Sequence, residues 1–200
     1  DWILNDIQVP YMMEYLICNN GAIVVTGSID LTGTKLPELP RFGMRMELHQ
    51  PYENLVYYGR GPFENYIDRY SSSFIGRYED KVENQFYWYI RPQETGNKTD
   101  VRWLSLLDSE GQGVRITGLQ PISFSALHFS PEDLDPGLTR KLQHTIDIVP
   151  QKNIFLHVDL KQRGLGGDNS WGMYPHNEYR LLDKKYTYSY MIELVEKKSD

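Results

Sequence analysis

Only one cysteine, Cys18, occurs in the 200 residues, so no disulfide can form within the chain. That scarcity does not separate cytoplasm from periplasm, because a chain of this length can fold on its hydrophobic core alone. Basic charge is also scarce. Against 27 Asp plus Glu there are 21 Lys plus Arg, a net charge of -6, and no run of Lys or Arg exceeds two residues. A phosphate-tracking surface is thereby disfavoured, and nucleic acid is not an expected partner. The apolar stretches, such as Ala22 to Val25 and Trp103 to Leu107, fall far short of the roughly 20 residues of a membrane-spanning helix. The five histidines, His49, His128, His144, His157 and His176, have no metal-ligand spacing, so no metal site is expected. Neither a Gly-x-Ser-x-Gly elbow nor a phosphate loop occurs, which removes serine-hydrolase and nucleotide readings. No initiator Met or leader precedes Asp1, and the start reads as a cut through a longer chain.

What is abundant is aromatic residues, 13% of the chain with 15 Tyr, set in short alternating runs bounded by Gly, Pro, Asn or Asp. Alternation of this kind predicts strands at Tyr11–Cys18, Ala22–Leu31, Phe42–Glu47, Asn54–Tyr58, Val101–Leu107, Gly113–Gly118, Phe124–His128, Gln143–Ile148, Asn153–Gln162 and Tyr186–Val195. Asn19-Asn20-Gly21 and Asp108-Ser109-Glu110-Gly111 supply the residues that tight hairpins require. One helical turn is expected at Ser130-Pro131-Glu132-Asp133, with Ser as N-cap, Pro at N1, Asp133 closing a capping box and Pro136-Gly137 as the stop. The fold class is therefore all-β, a large antiparallel β-sandwich, in one domain over residues 1–200 with a frayed tail at 196–200.

Three long loops, Gly59 to Asp68, Pro92 to Asp100 and Gly164 to Asn177, stand out on this scaffold. In the last, Gly164-Leu165-Gly166-Gly167-Asp168-Asn169-Ser170-Trp171-Gly172 sets a tryptophan among residues that cannot bury it locally. An indole face held by a flexible hinge suits the C–H patch of a sugar ring. Packing of Trp171 back onto the sandwich is the alternative. In Gly59-Arg60-Gly61-Pro62-Phe63-Glu64-Asn65-Tyr66-Ile67-Asp68-Arg69, two Arg and two carboxylates crowd one turn. Acid catalysis by Glu64 or Asp68 is conceivable, but pairing of Arg60, Glu64, Asp68 and Arg69 with each other and with loop backbone is the preferred reading. Glu94 and Asp100 are expected to fix the second loop in the same way, and Asn97-Lys98-Thr99, a glycosylation sequon, carries no weight.

Taken in order, Gly59-Arg60-Gly61-Pro62, Glu64-Asn65-Tyr66, Asp68-Arg69, Arg91-Pro92-Gln93-Glu94, Asp100-Val101-Arg102-Trp103, Ser130-Pro131-Glu132-Asp133-Leu134 and Gly166-Gly167-Asp168-Asn169-Ser170-Trp171-Gly172 carry a likeness. The chain resembles, from about Leu39 to Val195, the C-terminal small-chain region of glycoside hydrolase family 2 β-galactosidases. The resemblance implies a supersandwich similar to the galactose mutarotase fold, beginning before the position of Asp1 and leaving sheet edges open here. It implies retaining hydrolysis of terminal β-galactosides by two Glu about 5 Å apart on a TIM barrel that this sequence lacks. The substrate is then a β-galactoside such as lactose, with Mg²⁺ or Na⁺ held on the barrel and no cofactor in this fragment. It is compatible with a homo-oligomeric parent enzyme.

By the same resemblance Trp171 occupies the position of a tryptophan that stacks on sugar at the active-site mouth, the one substrate-binding residue carried over, with Asp168 a structural member of its loop. Two departures are visible, Asn169 where the family has Asp and Thr95 where Asn is commoner. The fragment by itself is then non-catalytic. An autonomous carbohydrate-binding module and a mutarotase-like epimerase using His128 or His157 remain the other readings.

Overall fold

Glycine and asparagine at the turns set the strand boundaries. At the first hairpin Gly21 takes a left-handed φ of 84° while the Cys18 N–H donates to the Ala22 carbonyl at 2.8 Å. Gly111, at φ 82°, does the same beside Asp108 and Gln112. The computed structural model describes residues 2–4, 7–49, 51–135, 143–169 and 171–197. Its strands are β1 Trp2–Leu4, β2 Ile7–Val9, β3 Tyr11–Ile17, β4 Ile23–Asp30, β5 Arg41–Leu48, β6 Asn54–Gly61, β7 Phe74–Lys81, β8 Lys98–Leu107, β9 Gly113–Leu127, β10 Ile154–Gln162 and β11 Lys185–Val195. Helix α1, Pro131–Leu134, is a single turn, and the protein is all-β as its alternation requires.

One antiparallel sheet runs β3-β4-β11-β9-β8-β6-β7, with β10 pairing both β9 and β5, while β1 and β2 form a separate ribbon. The 15-residue β9 makes it fold over. Residues Gly113 to Gly118 pair with β11, whereas Ser123 to Leu127 pair with β10. Along β8, Trp103 and Val101 face Thr117 and Ile122, so two steps on one strand oppose five on the other and β9 buckles between. Gly118 and Pro121 fit this corner. A Cβ on Gly118 would meet the Gln120 carbonyl at 2.3 Å, and proline lacks the N–H that a broken ladder cannot use.

The fold-over brings β11 against β5 and β10. Phe42 packs on Tyr186 and Tyr188 at ring-centroid distances of 5.7 and 5.5 Å, and the Tyr188 hydroxyl donates to the Val158 carbonyl at 3.0 Å. Between the layers lies one apolar core that includes Val25, Leu55, Leu104, Phe124, Leu156, Val158 and Tyr190. Alternation then sends the other residues of β5, β10 and late β9 to the opposite face: Arg41, Gly43 and Arg45 beside His157 and Asp159, with Ser123 and Ser125 across from them. This polar face is the floor on which the long loops sit.

Some sequence expectations are corrected. Gly113–Gly118 and Phe124–His128 are not two strands but arms of the single β9. Gln143–Ile148 is not a strand; Thr145–Asp147 forms a 3-10 turn, because the Asp147 carboxylate accepts the His144 N–H at 2.8 Å and closes it locally. Strand β7 escapes alternation because it is an edge, exposed on both faces along most of its length. Helix α1 has the expected capping box, with Ser130 Oγ accepting from the Asp133 N–H at 3.1 Å. Its proposed Pro136-Gly137 stop lies outside the described residues. Of the tail expected at 196–200, Lys197 pairs with Glu110 at 3.0 Å and residues 198–200 lie outside the described set. Among the described residues no helix is long and apolar enough to cross a membrane.

Candidate functional site

Three loops converge above the polar floor, and buried side chains lock them together. Asn65, fully buried, donates from Nδ2 to the carbonyls of Arg60 and Phe63 at 3.1 and 3.0 Å, and its Oδ1 accepts from the Thr99 N–H at 2.9 Å. Asn97 returns the tie, its Nδ2 donating to the Asn65 carbonyl at 2.7 Å. Glu64 uses both carboxylate oxygens, accepting from Thr95 Oγ1 at 3.0 Å, from the Gly96 N–H at 2.7 Å and from the Tyr89 hydroxyl. Burial and this carboxylate together push the Tyr89 phenol up to about 12.

Asp68 connects this framework to the tryptophan loop. Its Oδ2 accepts the Gly166 N–H at 2.8 Å, and a Cβ on Gly164 would stand 2.7 Å from the same carboxylate, so glycine is required for the approach. Gly166 and Gly167 then turn the chain with φ of 69° and 103°. Asn169 Oδ1 accepts the Trp171 N–H at 2.8 Å, closing an Asx turn. The indole that follows is 91% exposed. Trp171 therefore does not pack back onto the sandwich. Farther along, Tyr174 lies under the Arg180 guanidinium, 4.6 Å from the ring centroid, and Glu38 holds Arg180 and Arg163 at 2.6 and 3.1 Å.

Because a charged hydrogen bond between a backbone N–H and a carboxylate contributes about 1.5–3 kcal/mol, Asp68→Ala is expected to accelerate hydrogen exchange at Gly166 roughly ten- to a hundred-fold. Unchanged exchange there would show that Asp68 does not hold the loop.

On the floor, Arg41 is the hub. Its guanidinium lies 3.1 Å from Asp159 and 3.0 Å from Glu94, donates to Gln162 Oε1 at 2.8 Å and reaches His157 Nδ1 at 2.6 Å. Burial lifts Asp159 to about 7 although Arg41 stands beside it, and burial also raises Glu94. His157 falls to about 3, chiefly through burial and then through the positive charge of Arg41. A guanidinium only donates, so His157 Nδ1 accepts and Nε2 carries the hydrogen.

The profile described as the beta galactosidase small chain matches residues 4–192. This chain belongs to that family. Among similar proteins, a beta-galactosidase of Priestia megaterium is 34% identical over 90% of this chain and 17% of its own length. A beta-galactosidase of Streptococcus thermophilus is 33% identical over 94% of the chain and 18% of its own length. Beta-galactosidase BgaC of Bifidobacterium adolescentis is 35% identical over 79% and 15%. The chain thus spans less than a fifth of the length of these relatives.

Within this small-chain domain the expected loop residues are brought together differently from the sequence reading. Arg60, Glu64, Asp68 and Arg69 do not pair with one another. Arg60 binds Asp100 at 2.5 Å and the Ser73 carbonyl at 2.9 Å, and Arg69 lies over the Tyr66 ring at 5.5 Å. Arg60 and the two carboxylates reach other strands and loops, whereas Arg69 stays within its own segment on Tyr66. Glu94 does fix its loop, through Arg41. Asp168 stands outside the framework, at the surface, 3.4 Å from His176. His157, held neutral, is too weak a base and carries no imidazolium proton to donate at neutral pH, and His128 is bonded to Glu53 at 3.0 Å and to the Asn153 carbonyl at 3.1 Å, so neither supports the epimerase reading. Sequence reading passed over Arg41, Asp159 and Gln162. Their signal was present, polar residues alternating with the core positions of β5 and β10, but alternation alone assigns such a face to solvent.

Proposed function

We propose that this chain is the non-catalytic supersandwich of a retaining β-galactosidase of glycoside hydrolase family 2, and that Trp171 stacks on β-galactoside substrate at an active site formed mainly elsewhere in the protein. The observation that carries this reading is an indole 91% exposed at the tip of a loop tied down by Asp68 and Asn169. Exposing so large an apolar face serves binding, and the fixed loop base lowers the ordering cost when a ring packs on it. The carboxylates of the loops support it from the other side. Glu64 is saturated by Tyr89, Thr95 and Gly96, and Asp68 holds Gly166 through one oxygen while its other is buried, so neither presents an open carboxylate to substrate. The two catalytic Glu and an associated Mg²⁺ or Na⁺ belong, in this proposal, to a barrel outside these residues. A homo-oligomeric enzyme is compatible with it.

In the full-length enzyme Trp171→Ala is expected to lower kcat/KM for an aryl β-galactoside roughly five- to thirty-fold, about 1–2 kcal/mol. An unchanged kcat/KM would refute the stacking role. Because the loop is fixed entirely within this chain, an autonomous carbohydrate module is the second reading. Saturable galactose binding by the isolated chain, absent in Trp171→Ala, would select it.

A further inference from the structure

The tip of the tryptophan loop stands clear of its surroundings. A Cβ placed on Gly167 or on Gly172 would meet no heavy atom within 4 Å, and Met173 is exposed like the indole two positions before it. Trp171 is therefore held through the two legs of its loop. Asp68 ties the near leg at Gly166, five positions before the indole (171 minus 166). The legs meet there, since a Cβ on Gly166 would stand 3.5 Å from Pro175 Cγ, and Pro175 is buried.

The far leg has an anchor of its own, three positions after the indole (174 minus 171). The Tyr174 ring lies under two guanidiniums, its centroid 4.6 Å from Arg180 and 5.9 Å from Arg163. Neither arginine is loose. Glu38, whose side chain is 5% exposed, accepts from Arg180 Nε at 2.6 Å and from Arg163 Nη1 at 3.1 Å, and Arg180 Nη1 also donates to Asn177 Oδ1 at 3.1 Å. Burial opposes ionisation of Glu38, but hydrogen bonds from the two guanidiniums outweigh it and hold the carboxyl below its usual range. The neighbouring Leu39 pairs with Leu181, which fixes Glu38 beside Arg180 through the backbone. The guanidinium is thus in place before the ring meets it, and a cation held over an aromatic face attracts that face. A second tie, from His176 to Asp168 at 3.4 Å, is exposed on both sides and charged only when the imidazole is protonated, so it contributes little.

We propose that Tyr174 and Arg180 are positioning residues for Trp171, fixing the far leg of the loop so that the indole meets substrate in one orientation. The inference rests on the stacking role of Trp171. Without this anchor the indole would hang from Gly166 by a tether that includes Gly167, and the entropy of ordering that tether would weaken binding.

Steady-state kinetics of the full-length enzyme on an aryl β-galactoside, together with hydrogen exchange at the Trp171 N–H that Asn169 accepts, test this. Tyr174→Ala is expected to raise KM roughly two- to five-fold with kcat unchanged, the size of an exposed cation–π contact, and to speed the exchange by a similar factor. Tyr174→Phe keeps the ring and should match wild type in both, whereas Arg180→Gln should behave as Tyr174→Ala does. In a Trp171→Ala background, Tyr174→Ala should leave kcat/KM where Trp171→Ala alone puts it. Exchange unchanged by Tyr174→Ala, or an equal fall in kcat/KM with and without Trp171, would overturn the proposal. An unchanged kcat/KM in Trp171→Ala, with exchange still faster in Tyr174→Ala, would sink the stacking role and not the anchor.

Discussion

Arg41→Ala is expected to cost about 3–5 kcal/mol of folding stability at pH 8, the largest effect of any single substitution considered for this chain. Arg41 neutralises two carboxyls at once, and removing it leaves Asp159, fully buried, with no cation within salt-bridge distance among the described residues. Asp159 has no compensating hydrogen bond to either oxygen among those residues, so the lost charge partner is not replaced. The deficit should also depend on pH. Burial already raises the Asp159 carboxyl from its usual 3.8 to about 7 with Arg41 in place, and without the guanidinium it rises further. A carboxyl whose folded value exceeds its unfolded value binds protons more tightly in the folded state, so stability falls as pH rises between the two. Urea unfolding of Arg41→Ala and wild type at pH 8 and at pH 5 should therefore show the gap narrowing at the lower pH. A loss below about 1 kcal/mol, or a gap that does not change with pH, would mean that the hub is not the electrostatic keystone of the floor.

Asn65→Ala should cost about 3 kcal/mol or more, because the single amide bonds to strands β6 and β8 and to its own loop. Its removal takes a donor from the carbonyls of Arg60 and Phe63 and the acceptor from the buried Thr99 N–H, which then carries a desolvation penalty. Asn65→Asp keeps the acceptor for Thr99 and loses both Nδ2–H donors. Its second carboxylate oxygen then faces the Arg60 and Phe63 carbonyls, acceptor against acceptor, so it should melt at or below the alanine variant at pH 7. Equal melting of all three proteins would show that the bonds are replaced by water rather than required. Both substitutions bear on function by one route, since the loop that Asn65 fixes also carries Asp68, and Asp68 holds Gly166 at the base of the Trp171 loop.

The hairpins at Gly21 and Gly111 and the Ser130 capping box were legible in the sequence because each is a local arrangement in which a few adjacent residues satisfy their own backbone. Strands with one face in the core were legible for the same reason, as at β4 and β11, where burial follows the alternation. Gln143–Ile148 misled because apolar residues recur there at strand spacing, yet Ile146 stays exposed and the Asp147 cap closes the segment into a turn. Nor could alternation foresee that β9 stays continuous through Gly118 and Pro121, since the bend is imposed by a change of partner from β11 to β10.

The sequence by itself determined an antiparallel β architecture, its turns, the family to which the ordered motifs point and the choice of Trp171 as the residue to watch. Those follow from periodicity, from residue types at fixed short spacings and from resemblance. Tertiary structure alone decided that Trp171 stands clear of the sandwich, that Glu64 and Asp68 are committed to loop backbone and side chains, and that Arg41, Glu94, His157 and Asp159 meet on one face. The physical reason is distance along the chain. Arg41 and Asp159 lie 118 positions apart (159 minus 41), and the antiparallel register of β5 and β10 brings their side chains within 3.1 Å. No local pattern encodes such a pairing; burial in the folded sheet creates both the contact and the raised Asp159 carboxyl.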